Sequence, residues 1–417
     1  MTAPASPLRL RLVAPLAGLT LLAVFAALYL GDRPLYFQAM GLWGVPALKY
    51  PFLDWDNVSA SIDCWKKGVN VYVRNPCDIG RRAFPYSPLW LGAGFVPTGP
   101  VWRNVIGLAI GLSFLASLFF AFRPRSRGEA ALFTLAGVSS MAAYGVERAN
   151  VDLLLFVMVV AAGGLGAGPA RRRWLAYGLL FFAGLLKFYP LAGLLTALRE
   201  RFAVLAGVAA LTTGGLLVFA HVYRAQLAAM RANVPGGKFG YDTFGASNLL
   251  FVLPASSDWV RPVVFAALAL CALAVAISIA RGAGFARALA ATGPVERSLL
   301  ILCAAIIVGC FFAGQSIVYR GVFLAPVVAG LLAMRRASDE AAARRRLAWL
   351  TAVILGLMWE GAWRPLLAPS PVVEIYLVRE LLWWWVVASL MAVLLVFAAQ
   401  SPAFADLRGL AVRWRPR

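Results

Sequence analysis

The chain reads as an all-α, polytopic membrane protein of about 10–12 transmembrane helices, one of them broken or re-entrant. Three observations predict this. Of its 417 residues, 62% are hydrophobic and 14% charged, too apolar for a soluble domain of ordinary composition. The apolar residues fall into runs near the roughly 20 that a helix needs to cross a bilayer. The basic residues sit between those runs, in the short clusters that the positive-inside rule assigns to cytoplasmic loops.

That placement also decides what the net charge of +21 means. No basic stretch is interleaved with stacking aromatics, so nucleic-acid binding is excluded as a reading.

The first run, about 11 to 31, follows Arg9 and Arg11 and continues to Leu30 without a small-residue cleavage site, so it reads as a retained helix that starts inside. It delivers residues 32–100 to the outer side as a large polar loop. Within that loop Phe84 to Pro97 is apolar but short and broken by prolines, the pattern of an interfacial or re-entrant segment. About 101 to 122 returns inward to Arg123, Arg125 and Arg127. The next pair, about 129 to 146 and 150 to 168, forms a hairpin with its outer tip at Glu147 to Asp152 and ends on Arg171-Arg172-Arg173.

Trp174 to Leu198 begins and ends beside cytoplasmic-type arginines and is interrupted by Lys187-Phe188-Tyr189-Pro190. A single span cannot start and finish on one side, so two half-helices meet near Lys187, a geometry allowed only where irregular backbone is buried in protein or lines a wet cavity. About 202 to 222 leads to a second outer loop, residues 223–258, containing Pro235-Gly236-Gly237-Lys238 and Gly245-Ala246-Ser247-Asn248. The remaining spans are about 259 to 280, 298 to 318, 321 to 335, 346 to 363 and 378 to 399. Both termini come out cytoplasmic. With no repeat, linker or appended soluble domain, residues 1–417 are expected to form one membrane domain.

Five cysteines are too few for a disulfide scaffold, and Cys271, Cys303 and Cys310 lie in apolar runs. Cys64 and Cys77 share the first loop and are candidates for a bridge if that loop is periplasmic or extracellular.

The first loop carries Phe52-Leu53-Asp54-Trp55-Asp56-Asn57, then Gly68-Val69-Asn70-Val71-Tyr72, then Phe84-Pro85-Tyr86-Ser87-Pro88-Leu89. It resembles family 87 of the glycosyltransferases, relatives of the polyprenol-phosphate-mannose-dependent mannosyltransferases of GT-C fold. That family has an acidic residue just beyond the first helix, a Gly-x-x-x-Tyr step and a Tyr-x-Pro-Leu segment. Asp54, Gly68, Tyr72, Tyr86, Pro88 and Leu89 stand at those places. Asn150-Val151-Asp152-Leu153-Leu154 is similar to the family's Asn-x-Asp-Leu-Leu hairpin motif, and Lys187-Phe188-Tyr189-Pro190 to its Lys-x-x-Pro helix break. The resemblance covers roughly the first half of the chain; the second half matches mainly in hydropathy.

The resemblance implies transfer of a sugar, mannose or a related hexose, from a polyprenyl-phosphate donor to a glycolipid or cell-envelope glycan in a bacterial plasma membrane, with the active site on the outer face. No cofactor or metal is implied. Such an inverting transfer needs a base, and a carboxylate serves. Asp54, at the membrane surface where a lipid donor presents its sugar, is the first choice. Asp56 is the second, since two residues along an extended segment face one side. The competing reading is that either aspartate caps the short helix containing Ser59 to Lys67.

The leaving phosphate needs cationic partners, and Arg320, Lys187 and Arg148 are the candidates. Against these stand interface snorkelling for Arg320, a structural hydrogen bond for Lys187 and an Arg148–Glu147 ion pair. Asn150, Asn248, Tyr72 and Tyr86 are further candidate substrate contacts. His221, the only histidine, is a donor contact or an interface anchor; one imidazole cannot build a metal site. Trp55, Trp65, Tyr72, Tyr86 and Trp90 suit sugar stacking or an interfacial belt, and the belt covers Trp383-Trp384-Trp385. Two other functions compete: a transporter or lipid flippase, with the Lys187 break lining its path, and a structural membrane subunit.

Overall fold

The computed structural model describes residues 7–234, 242–252, 259–367 and 372–413. Pro235 to Lys238, which the second outer loop is expected to contain, lies outside the described residues.

Helix α1 (Pro7–Gly31) is followed directly by α2 (Arg33–Leu42), where Asp32 accepts the Leu35 N–H at 3.0 Å and Pro34 stands in the first turn, a position that needs no donor. The first loop then forms α3 (Leu53–Lys66) and returns along α4 (Pro100–Ala121). Next come α5 (Arg127–Gly137), capped by Ser126, and α6 (Ser140–Arg148), capped by Ser139 and bent from α5 by 45°. Asn150 caps α7 (Val151–Gly166).

Helix α8 (Ala170–Leu186) stops at Lys187, whose backbone is extended. Pro190 cannot donate the hydrogen bond that would continue the helix, and the chain runs back as a 3-10 segment, Tyr189–Arg199. The expected break is therefore present, with its second half wound more tightly than an α-helix.

The second half of the chain contains α9 (Phe202–Val222), α10 (Arg224–Asn233), β1 (Thr243–Phe244), α11 (Val260–Ala280), α12 (Ala283–Ala291) and α13 (Pro294–Ala313). Then follow β2 (Ser316–Ile317), a 3-10 turn at Val318–Phe323, α14 (Leu324–Ala337), α15 (Ala341–Met358), α16 (Glu360–Leu367), α17 (Val373–Ala399) and α18 (Pro402–Arg413). The two short strands pair antiparallel, Thr243 with Ile317 and Phe244 with Ser316, and tie the second loop to the turn after α13.

Among the described residues seven helices are long and apolar enough to cross a bilayer, or eight if α5 and α6 make one bent span. The protein is thus a nearly all-α, multi-pass membrane protein, with fewer full-length spans than the ten to twelve expected. The shortfall lies in particular elements. Helix α7 has 16 residues, about 24 Å at 1.5 Å per residue, short of a hydrocarbon core of about 30 Å. The expected 174–198 span is the broken pair, and the expected 346–363 span ends as α15 at Met358 before turning into α16. Phe84 to Pro97 forms only a 3-10 turn, Pro88–Trp90, held to the end of α8 by Trp90 Nε1 donating to the Leu186 carbonyl at 3.2 Å.

Helices α13 and α14 are the most enclosed, whereas α1, α9 and α11 turn most of their apolar surface outward. The loops gather at two ends. At one, Arg336 pairs with Glu129, Arg287 with Asp339 at 3.5 Å and Arg173 with Glu200, while the Phe202 N–H donates to Asp406 at 3.0 Å. At the other, the first loop, the α6–α7 junction, Lys187, the Val318–Phe323 turn and the start of α17 converge.

Candidate functional site

Asp54 owes its position to a turn. Phe52 adopts a left-handed backbone (φ 64°) and donates its N–H to the Glu147 carbonyl at 2.7 Å, pinning the start of α3 to the end of α6. Its ring lies over Gly107 of α4, where a Cβ would stand 2.4 Å from Phe52 Cγ. No side chain caps α3, so neither aspartate is its cap, but both stand in its first turn, where the helix dipole favours a negative charge.

Helical geometry separates the two. Asp54 Oδ2 accepts from Asn150 Nδ2 at 2.6 Å and Oδ1 from Arg82 Nη1 at 3.3 Å. Asp56, expected to share that face in an extended segment, is instead turned into the loop, accepting from the Ile79 N–H at 3.4 Å with Arg103 at 3.9 Å. Burial pushes the Asp56 carboxyl up from its ordinary value, against the opposing pull of the Ile79 N–H and Arg103.

Asn150 links the first carboxylate to a second. Its Oδ1 accepts the Asp152 N–H at 2.9 Å while its Nδ2 holds Asp54. Asp152, in the first turn of α7, accepts from Lys187 Nζ at 2.5 Å and the Tyr189 hydroxyl at 3.1 Å on Oδ1, and from Arg320 Nε at 3.3 Å on Oδ2. Ser316 Oγ accepts from Arg320 Nη1 at 2.7 Å. Lys187 lies 5.3 Å from the Tyr86 ring, with Tyr189 and Tyr319 at 5.9 and 5.8 Å.

Around Asp152 one negative charge stands against two positive ones, a local surplus that favours an anion, while Arg82 is shared by Asp54 and Asp78. Asp152 is sealed, with 1% of its side chain exposed, whereas Lys187 retains 13%, Arg320 21% and Asp54 14%. The base candidate and the two cations are open to a ligand; the carboxylate that orders the cations is not.

Of the expected site residues, Asp54, Asn150, Lys187, Arg320 and Tyr86 come together. The others do not. Arg148 pairs with Glu147 at 3.1 Å, stacks on Tyr144 and donates to the Pro46 carbonyl, so the ion-pair reading stands for it. Tyr72 is buried in the loop, donating its hydroxyl to the Tyr86 carbonyl at 3.4 Å. Asn248 donates to the Thr243 carbonyl at 3.1 Å and to Glu380 at 3.4 Å, in a separate polar cluster with Arg379 and Glu360. His221 is exposed near the end of outward-facing α9. Cys64 and Cys77 are bonded, joining α3 to the following loop. Trp383 and Trp384 are buried against Phe244 and Phe311, so the belt reading fails for them.

Two residues of this site, Arg82 and Asp152, and one pair in the separate cluster have no role assigned from the sequence. Arg82 binds Asp54, Asp78 and the Leu53 carbonyl. Asp152 and the Arg379–Glu380 pair of α17 were visible as ionisable residues bordering or inside apolar runs, the signal that picks out Lys187.

An apolar groove of about 330 Å³ runs from Gly18 and Leu22 of α1, past Leu108 and Leu115 of α4, to Phe52 and Glu147 beside the Asp54 turn. Among the described residues no group of three or more His, Cys, Asp or Glu side chains is placed to hold a metal. Compared with known protein families, curated proteins and solved structures, the chain matches none.

Proposed function

We propose that this protein is a membrane glycosyltransferase that moves a sugar, mannose or a related hexose, from a polyprenyl-phosphate donor to a lipid-linked or cell-envelope glycan on the outer face of a bacterial plasma membrane. The observation that carries the reading is the adjacency of a partly open carboxylate, Asp54, and a cation-rich cluster, Lys187 and Arg320 on Asp152, joined through Asn150.

The transfer asks for those two parts. Asp54 takes the proton of the acceptor hydroxyl as its oxygen bonds to the anomeric carbon. The bond from that carbon to the phosphate oxygen breaks, its electron pair leaves with the polyprenyl phosphate, and the anomeric configuration inverts. Lys187 and Arg320 offset the charge gathering on the leaving phosphate. The groove ending at Phe52 gives a prenyl chain an apolar path along α1 and α4 to the turn that precedes Asp54.

A transporter or flippase reading gains less support. Several buried hydroxyls in the bundle interior, Ser117, Thr351 and Ser389, return their hydrogen bonds to their own helices rather than lining a polar path. The test is transfer by purified protein from radiolabelled polyprenyl-phosphate mannose to a panel of lipid acceptors. Asp54→Asn is expected to lower kcat by about 10²–10⁴-fold. Full activity in that variant removes Asp54 as base. Flipping or uptake in liposomes without transfer from any lipid-phosphate sugar favours the transport reading.

A further inference from the structure

A second cavity, of about 450 Å³, opens at the same end of the bundle. Its walls include Pro46, Ser140, Tyr144, Asp242, Glu360 and Arg364. This is within the size range of small-molecule sites.

Two buried polar atoms of its walls have unmet bonding capacity. Ser140 is 3% exposed, and its Oγ finds no hydrogen-bond partner among the described residues. Glu360 is also 3% exposed; Arg379 Nε donates to its Oε2 at 2.6 Å, but its Oε1 accepts no hydrogen bond from the described residues and has Arg364 Nε in ion-pair range at 3.6 Å. A buried oxygen left without a hydrogen bond costs about 1–3 kcal/mol unless a ligand or water meets it.

The balance of charge narrows the ligand. Asp242 and Glu360 line the same walls as Arg364, and Arg379, which pairs with Glu360, is shared with Glu380. Unlike the Asp152 cluster, these walls hold no cationic surplus to draw a phosphate. What suits Ser140 Oγ and Glu360 Oε1 together is a neutral group that donates and accepts at once, namely a set of hydroxyls.

The cavity shares two elements with the candidate active site. Tyr144 precedes by one helical turn the Glu147 carbonyl that anchors Phe52, and Val318, also a wall residue, stands two residues before Arg320. The Tyr144 and Tyr319 rings pack 5.5 Å apart between the cavity and Lys187.

We propose that this cavity binds the sugar moiety of the acceptor, a neutral, hydroxyl-rich group held by Glu360 and Ser140. The assignment of that sugar to the acceptor rests on the transferase reading.

The test has two arms. In the first, Asp242→Cys is placed in a Cys271→Ser background and its alkylation by a small thiol reagent is timed. Methyl glycosides of neutral hexoses are expected to slow it at least five-fold, Glu360→Gln to abolish the protection, and inorganic phosphate to give none. Absence of protection by every glycoside, or equal protection by phosphate, overturns the proposal. In the second arm, Glu360→Gln and the milder Ser140→Ala are expected to raise the acceptor KM about ten-fold, leaving kcat and the donor KM unchanged. A rise in donor KM instead overturns it. Failure of the wild type to transfer any sugar removes the transferase reading, and with it the acceptor assignment, while the alkylation arm still decides whether the cavity holds a sugar.

Discussion

Asp152 illustrates how one side chain orders a site without facing a ligand. It draws Lys187 and Tyr189 from the broken helix and Arg320 from the turn after α13, elements distant in sequence, onto two carboxylate oxygens. Removing one partner of such a buried arrangement leaves charge uncompensated and costs about 3–5 kcal/mol, so its integrity is a condition of folding as well as of chemistry. Asn150 has two separable duties. Its Oδ1 caps α7, a contribution of about 1 kcal/mol, while its Nδ2 donates to the Asp54 carboxyl, a hydrogen bond of about 0.5–1.5 kcal/mol, more where the acceptor carries charge. Asn150→Ala is therefore expected to lower both melting temperature and transfer rate. Asn150→Ser keeps a capping oxygen but loses the donor to Asp54, so it should recover most of the melting temperature and little of the rate. Recovery of both in Asn150→Ser would show that the contact with Asp54 is dispensable.

Helix α3 positions Asp54 through its first turn. The left-handed conformation of Phe52, about 1–2 kcal/mol less favourable than the right-handed one, is held by the Glu147 carbonyl and by the contact of its ring with Gly107. Gly107→Ala adds a Cβ 2.4 Å from Phe52 Cγ, so the ring must shift and carry the start of α3 with it. A displacement of about 1 Å is enough to cost 10²-fold in rate, and the expected result is a fall in kcat of that order at nearly constant donor KM. An unchanged kcat would mean that the turn yields without moving Asp54. Asp56, one residue pair further, answers to pH. Because burial raises its pKa, the folded loop keeps its proton to higher pH than the unfolded chain does, so its contribution is present at low pH and lost as pH rises through the folded value. Asp56→Asn should consequently melt at or above wild type at neutral pH, with the gap closing toward about pH 4, the ordinary aspartate value; a variant that melts lower at neutral pH would show that Arg103 outweighs burial. The sequence made Asp54 and Asp56 visible but not their divergence. Helix α3 is buried on most sides, from Leu53 and Trp55 through Asn57, Ser59 and Ser61 to Cys64, so no apolar stripe announces a helix where the acidic residues stand.

Across the whole molecule, charge placement was the most legible feature, because loops at a bundle end need no tertiary information to be recognised. Arg123 to Arg127, Arg171 to Arg173 and Arg335 to Arg346 were read as one side from local sequence, and the ion pairs Arg336–Glu129, Arg173–Glu200 and Arg287–Asp339 bring their loops into one end of the fold. The break at Lys187 followed from the same reasoning, since arginines at both ends of one apolar stretch require a return. What local sequence could not supply was partner choice: that Lys187 meets Asp152 rather than solvent, that Arg82 reaches Asp54, or that Arg379 and Glu380 inside an apolar run close on Glu360 and Asn248. Those pairings depend on which passes neighbour one another. The two-ended arrangement makes one demand independent of any chemistry. Lys66, at the end of α3, and Arg172, at the start of α8, are both exposed and belong to opposite ends. With Cys271 replaced by Ser to silence the exposed free thiol, Lys66→Cys in intact cells or right-side-out vesicles should react with a membrane-impermeant maleimide from outside. Arg172→Cys should react only after the membrane is permeabilised, as the positive-inside rule requires for its arginine cluster. Labelling of both from one side would break the two-ended topology, and the reverse pattern would move Asp54 to the cytoplasmic face and remove the basis for an outward-facing transferase.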